Sequence, residues 1–173
     1  MEKIFYADKN SFSSSDEAIQ AVLSKYFGIN SPIIYRSKNG KPYLDQKLGI
    51  FLSVSHTCDL LFLGFSDDEI GIDAESLSRE RNYAAVIKKF PHAEQAEIQS
   101  NEDFLRHWTA KEAAVKYLGG TLAHDLKKLA FINEKLTYGD ELLPKVFELR
   151  VHNILLSICA KRDFSHAEII RLI

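Results

Sequence analysis

The sequence predicts an α+β fold in two halves, each a helical stretch followed by a run of antiparallel strands. Three observations carry this. A helix-start signature near Ser14 is followed by short strand candidates up to Glu75, helical sequence resumes after Tyr83 and gives way to strands again, and the regular βαβ alternation of a parallel sheet is absent. No sequence repeat links the halves, which are taken as residues 1–75 and 76–173 of one compact unit.

In chain order, KIFYA reads as a strand. Ser14 and Glu17 form a capping box, and Ala18, Val22, Leu23 and Tyr26 keep helical spacing up to Gly28. PIIYR and Pro42–Leu44 are strand candidates around SKNGKP, whose Asn39-Gly40 is a hairpin signal. Ile50, Leu52 and Val54 alternate as on a strand. Leu60 to Phe65 is a short apolar run of strand length, and Glu69 to Glu75 makes another strand. The polar passage SLSRERN is the candidate joint. Helical sequence then covers Tyr83–Phe90, His92–Ile98 and Glu102–Leu118, stopping at Gly119-Gly120. Strands are expected near Leu129–Ile132, Lys145–Val151, Ile154–Ala160 and Glu168–Leu172.

The chain has 173 residues, 46% apolar and 27% charged, enough to bury a core of useful size. A net charge of −2 speaks against general nucleic-acid binding, which needs a strongly basic face, though a local basic patch remains compatible with it. MEKIFYADKN is too polar for a signal peptide and no apolar run reaches membrane-spanning length, so a cytoplasmic protein without a membrane partner is expected. Cys58 and Cys159 lack CxxC spacing and read as two buried reduced thiols, with a disulfide as the alternative.

Side chains at i and i+2 on a strand share a face, so Asp73 and Glu75 of GIDAE project together with Ala74 turned away. Such a pair fits a solvated strand end. It fits equally a site for Mg2+, an oxygen-seeking cation that offsets the mutual repulsion of two carboxylates. In HWTAKEAAVK, Trp108, Glu112 and Lys116 stack at four-residue intervals. That row is either an ordinary surface ion pair or, with Lys111, a carboxylate for the metal beside ammonium groups for phosphate oxygens. Ser55 and His56 follow a strand where it opens into a loop, with no nucleophile elbow around the serine; both are candidate phosphate donors or plain turn residues. Lys41 sits in a turn, where a lysine is usually solvated.

Taken in order, GKPYL, the strand into VSHT, GIDAE and WTAKEAAVK resemble the motifs of the 4'-phosphopantetheinyl transferase superfamily, from about Gly40 to Gly119. The pair G-I-D-x-E and W-T-x-K-E-A-x-x-K is the specific part. The length is similar to the longer branch, in which one chain carries two similar halves, each with helix plus antiparallel sheet, and a monomer is expected, and not to the short trimeric synthases. The resemblance implies transfer of the 4'-phosphopantetheine arm of coenzyme A to a serine of an acyl or peptidyl carrier protein, with release of adenosine 3',5'-bisphosphate. It implies Asp73, Glu75 and Glu112 as Mg2+ ligands and Lys116 on the phosphates. Lys41, Ser55, His56 and Lys111 would lie on coenzyme A, and Glu94, Glu112 or a water would accept the proton. The chain departs from the family at its first helix. SFSSSDEAIQ stands where relatives carry basic residues, leaving Lys3, Lys9, Arg36 or Lys38 to compensate. The competing readings are a non-catalytic module that binds coenzyme A or a carrier, and a metal-dependent phosphohydrolase acting on a nucleotide.

Overall fold

A computed structural model describes residues 2–79 and 83–172. The chain begins with β1 (Lys3–Asp8) and α1 (Ser15–Phe27), followed by the hairpin β2 (Tyr35–Arg36) and β3 (Pro42–Tyr43). Three longer strands come next: β4 (Phe51–Thr57), β5 (Leu60–Ser66) and β6 (Ile70–Ser76). Short helices α2 (Ala84–Ile87) and α3 (His92–Gln95) lead to the long α4 (Asn101–Leu118) and the single turn α5 (Leu122–Asp125). The chain ends in β7 (Leu129–Ile132), β8 (Lys135–Tyr138), β9 (Glu141–Leu142), β10 (Val146–Val151), β11 (Ile154–Ala160) and β12 (Glu168–Arg171). The fold is α+β, with antiparallel ladders throughout except for β12 alongside β1.

The caps work as the sequence predicts, with one difference. The Ser14 side chain accepts from the Glu17 amide, and Gly28 closes α1 in the left-handed region. The Glu17 carboxylate, however, reaches back to the amide and hydroxyl of Ser13, one residue before the cap. Ser100 caps α4 on Asp103 in the same manner.

Several expectations change. The helices expected over Tyr83–Phe90 and His92–Ile98 shorten to single turns, with Pro91 between them and Gln95 bonding the Phe90 carbonyl, while the one expected over Glu102–Leu118 forms as α4. Strands β8 and β9 are not among those expected: the β7–β8 turn uses Asn133 and Glu134 in the left-handed region, without the glycine that signals such turns, and the β8–β9 pair beyond Gly139 is only two residues long. Cys58 is exposed and Cys159 buried; both are free. Residues 80–82 of the candidate joint lie outside the described residues. Both halves share strands across it, since β6 pairs with β11 and β12 with β1. No described helix is long and apolar enough to cross a membrane.

The strand that matters most for function is β6, buried at every position. One edge pairs with β11, bringing Asp73 opposite Ser157. Toward β4, the hydroxyls of Ser53 and Ser55 accept from the Ile72 and Ala74 amides at 3.0 Å each, satisfying main-chain donors that would otherwise be orphaned. Ile70, Ile72 and Ala74 face an apolar cluster that includes Ile4, Phe62 and Ile158. Gly71, Asp73 and Glu75 face the other way, toward α4. A Cβ at Gly71 would collide with the Ala113 carbonyl and the Tyr117 backbone, so this glycine is what lets helix and strand touch.

Candidate active site

The close approach at Gly71 sets Glu112 of α4 against the carboxylates of β6. Burial and the neighbouring Asp73 push the Glu112 carboxyl up to about 8; Glu75 adds to the rise, and Lys116 opposes it. Lys116 Nζ lies 2.8 Å from Asp73 Oδ1, so the surface Glu112–Lys116 pair considered from helical spacing gives way to a bond from helix to strand. The Ser55 hydroxyl donates to the same Asp73 oxygen at 2.9 Å while accepting from Ala74. Glu75 meets Arg79 at 3.5 Å. Acids from a strand and a helix thus gather around one ammonium group. Among the described residues, no group of three or more His, Cys, Asp or Glu side chains is arranged so that it could hold a metal ion. The donors are nonetheless hard carboxylate oxygens, and the Glu112 carboxyl is pushed up first by burial and then by Asp73 and Glu75; oxygen donors crowded in this way suit a divalent cation.

Beside this cluster, a cavity of about 260 Å3 opens between α4, β4 and the β2–β3 hairpin, lined by Arg36, Lys41, His56 and Lys116 among others. Asn39 ties its walls together by donating to the Gly119 carbonyl at the end of α4, at 2.8 Å. Lys41 is held at its rim by Glu69 and by the Ile70 carbonyl. Burial lowers the His56 pKa, helped by Lys9 and Lys116, so the imidazole is neutral at pH 7.

The profile of the 4'-phosphopantetheinyl transferase superfamily matches residues 69–165, a segment that holds β6 and α4. The chain belongs to the 4'-phosphopantetheinyl transferase superfamily. Among curated relatives, the 4'-phosphopantetheinyl transferase AcpT of Escherichia coli strain K12 is 30% identical over 154 residues, spanning 84% of this chain and 74% of its own length. The 4'-phosphopantetheinyl transferase HetI of Nostoc is 26% identical over 133 residues, 69% of this chain and 56% of its own. AcpT of Salmonella typhi is 31% identical over 98 residues, 52% of this chain and 51% of its own. The protein is therefore a transferase of this superfamily.

Within this transferase the residues picked out from the sequence separate into two groups. Asp73, Glu75, Glu112 and Lys116 come together, with Lys41 and His56 on the adjoining cavity. Ser55, Lys111 and Glu94 do not line that cavity, and of the three only Ser55 touches the cluster, through Asp73. Ser55 is buried, and its hydroxyl is committed to Asp73 and Ala74. Lys111 is 0% exposed on another flank of α4, 2.7 Å from Glu94 Oε2 and 3.5 Å above the Phe90 ring. The contact is close, although its angles fall short of a hydrogen bond. Glu94 is equally buried, and its other oxygen lies 3.1 Å from His107 Nδ1. Burial lowers the Lys111 pKa while Glu94 opposes the drop. A carboxylate enclosed by a lysine and a histidine clamps α3 to α4 and has no surface to offer a substrate hydroxyl. Glu112 keeps some. Gly71 and Ser53 were missed as residues that shape the site; a glycine inside an apolar strand is itself a sign of close backbone approach.

Proposed function

We propose that this transferase moves the 4'-phosphopantetheine arm of coenzyme A onto a serine hydroxyl of an acyl or peptidyl carrier protein, in a Mg2+-dependent reaction that releases adenosine 3',5'-bisphosphate. The observation that carries this is the meeting of Asp73, Glu75 and Glu112 beside a cavity whose charged lining is basic. Asp73, Glu75 and Glu112 would hold the cation, which when bound supplies neutralisation of charge on the pyrophosphate.

The remaining work falls to the chain itself. Attack on a phosphoryl group needs alignment and charge balance more than covalent help from the protein. The serine oxygen bonds to the phosphorus bearing the pantetheine arm, and the bond to the bridging oxygen breaks. Adenosine 3',5'-bisphosphate departs with that oxygen, and the hydroxyl proton passes to Glu112, the partly exposed carboxylate of the cluster, which would be ionised once a bound cation offsets the charge of its neighbours. Lys116 reaches from Asp73 toward the phosphates and offsets charge on the leaving group. Ser55 fixes the Asp73 rotamer, while Lys41 and neutral His56 line the nucleotide's path. The same reading takes residues 1–75 and 76–173 as pseudo-symmetric halves of a cytoplasmic monomer.

Mass spectrometry of an apo carrier incubated with coenzyme A, Mg2+ and the protein tests the proposal. One added phosphopantetheine is expected with wild type, and none with Asp73→Ala or Glu112→Ala variants that stay folded. Normal labelling by either variant defeats the metal assignment. Tight coenzyme A binding without labelling of acyl or peptidyl carriers favours the non-catalytic module, and nucleotide release without a carrier favours a hydrolase.

A further inference from the structure

Helix α4 meets the sheet along two rows of side chains. One row sets Glu112 and Lys116 against Asp73 and Glu75 of β6. The other carries Leu105, Thr109 and Ala113, four residues apart on α4, toward the alternate residues Leu155, Ser157 and Cys159 of β11. Leu105 and Leu155 share one apolar cluster, and Ala113 and Cys159 share another. Between these, Thr109 and Ser157, both 0% exposed, meet hydroxyl to hydroxyl at 2.7 Å. The Thr109 proton is committed to the Leu105 carbonyl at 2.8 Å, so Ser157 donates and Thr109 accepts. Ser157 is the strand partner of Asp73, and Thr109 stands one turn before Glu112.

Resting on the transferase reading above, we propose that Thr109 and Ser157 are positioning residues, whose hydroxyl pair fixes the register of α4 on the sheet and so sets Glu112 against Asp73. Leucine, alanine and cysteine side chains attract one another without direction, so an interface made of them alone tolerates a small slide of the helix. A buried hydroxyl pair does not, because a slide leaves the Ser157 hydroxyl without its acceptor where no solvent replaces it. Gly71 seats α4 near Ala113 and Tyr117, and Thr109 holds it one turn earlier. Two points fix direction as well as distance. Neither hydroxyl lines the cavity, and each acts only through the carboxylates that it places.

The test compares Ser157→Ala, Thr109→Ser, the double variant Thr109→Val with Ser157→Ala, and Ile19→Val as a control in the buried core beside α1. Thermal melts in EDTA read the fold, Mn2+ titration with coenzyme A present reads the cation site, and labelling of an apo carrier reads kcat. Ser157→Ala should melt about 2–4 °C lower, as loss of one hydrogen bond in a chain of this size implies. Its Mn2+ affinity and kcat should each fall about 10-fold, the lower end for residues that orient metal ligands. Removing both hydroxyls together leaves neither unpaired, so the double variant should melt within about 2 °C of wild type while Mn2+ affinity and kcat stay low. Thr109→Ser keeps the acceptor and should keep kcat within about twofold. Ile19→Val should lower Tm as Ser157→Ala does and change neither Mn2+ affinity nor kcat. Recovery of both along with Tm in the double variant, or wild-type values in Ser157→Ala, would overturn the assignment and leave the transferase reading intact. Wild type that neither binds Mn2+ nor labels a carrier would remove both.

Discussion

Replacing Glu112 with glutamine should make the metal-free protein more stable above pH 8 while abolishing transfer. The carboxyl titrates near 4.5 in an unfolded chain and at about 8 in the folded one, because it is buried beside Asp73 and Glu75. Folding therefore favours the protonated form. The associated stability is fully present below pH 4.5, declines as pH rises, and is gone above about 8. At 1.36 kcal/mol per pH unit, the rise from 4.5 to about 8 sets an upper limit of about 5 kcal/mol. Lys116 and the partial exposure of Glu112 reduce this, and about 2 kcal/mol is a realistic expectation. Glutamine has nearly the same shape and no charge, so it removes the penalty. Urea unfolding in EDTA between pH 5 and 9 measures it. Wild type should weaken across the range relative to Glu112→Gln, and at pH 9 the variant should melt higher by roughly 4–8 °C, given about 2–4 °C per kcal/mol for a chain of this size. Saturating Mg2+ with coenzyme A should reverse the order. Parallel pH profiles for the two proteins would refute the claim that these carboxylates crowd one another.

Gly71→Ala should destabilise by about 3 kcal/mol or more, the upper end for overpacking, because the obstacle is the α4 backbone; denaturant unfolding reads it, and a neutral result would mean helix and strand are not in contact. Ser55→Ala should cost about 1–3 kcal/mol by leaving the Ala74 amide without its acceptor and should slow transfer through a loosened Asp73, measured by unfolding and by turnover. Lys111→Met alone should cost about 3–5 kcal/mol by stranding buried Glu94, and Lys111→Met with Glu94→Gln should recover most of that. The double variant should keep kcat within a few-fold; a loss of about 100-fold or more would return Glu94 to the role of proton acceptor.

The part of the site that could be read from the sequence is the part governed by short-range geometry. Alternation on β6 puts Asp73 and Glu75 on one face, and the four-residue interval puts Glu112 and Lys116 on one row, so each pair was legible before their meeting was. Ser14, Gly28 and Gly119 announced their helix ends because capping is local chemistry. What stayed hidden depends on contacts distant in sequence. FPHAEQAE has the look of a wet amphipathic stretch, yet Glu94 is buried against Lys111, seventeen positions on, and His107. The preference of Lys116 for Asp73 over Glu112 arises only once Gly71 lets α4 settle on β6. Ser55 looked like a phosphate donor at a strand end, because nothing local reveals that β4 lies beside β6 and uses its hydroxyl there.

The account turns on a divalent ion bridging β6 and α4. A crystal grown with coenzyme A and Mn2+ would locate that ion by its anomalous scattering. The account predicts a single strong peak within coordination distance of oxygens from Asp73, Glu75 and Glu112, with the Lys116 ammonium turned onto the phosphates. A peak elsewhere, or none while coenzyme A is bound and Lys116 still rests on Asp73, would contradict it.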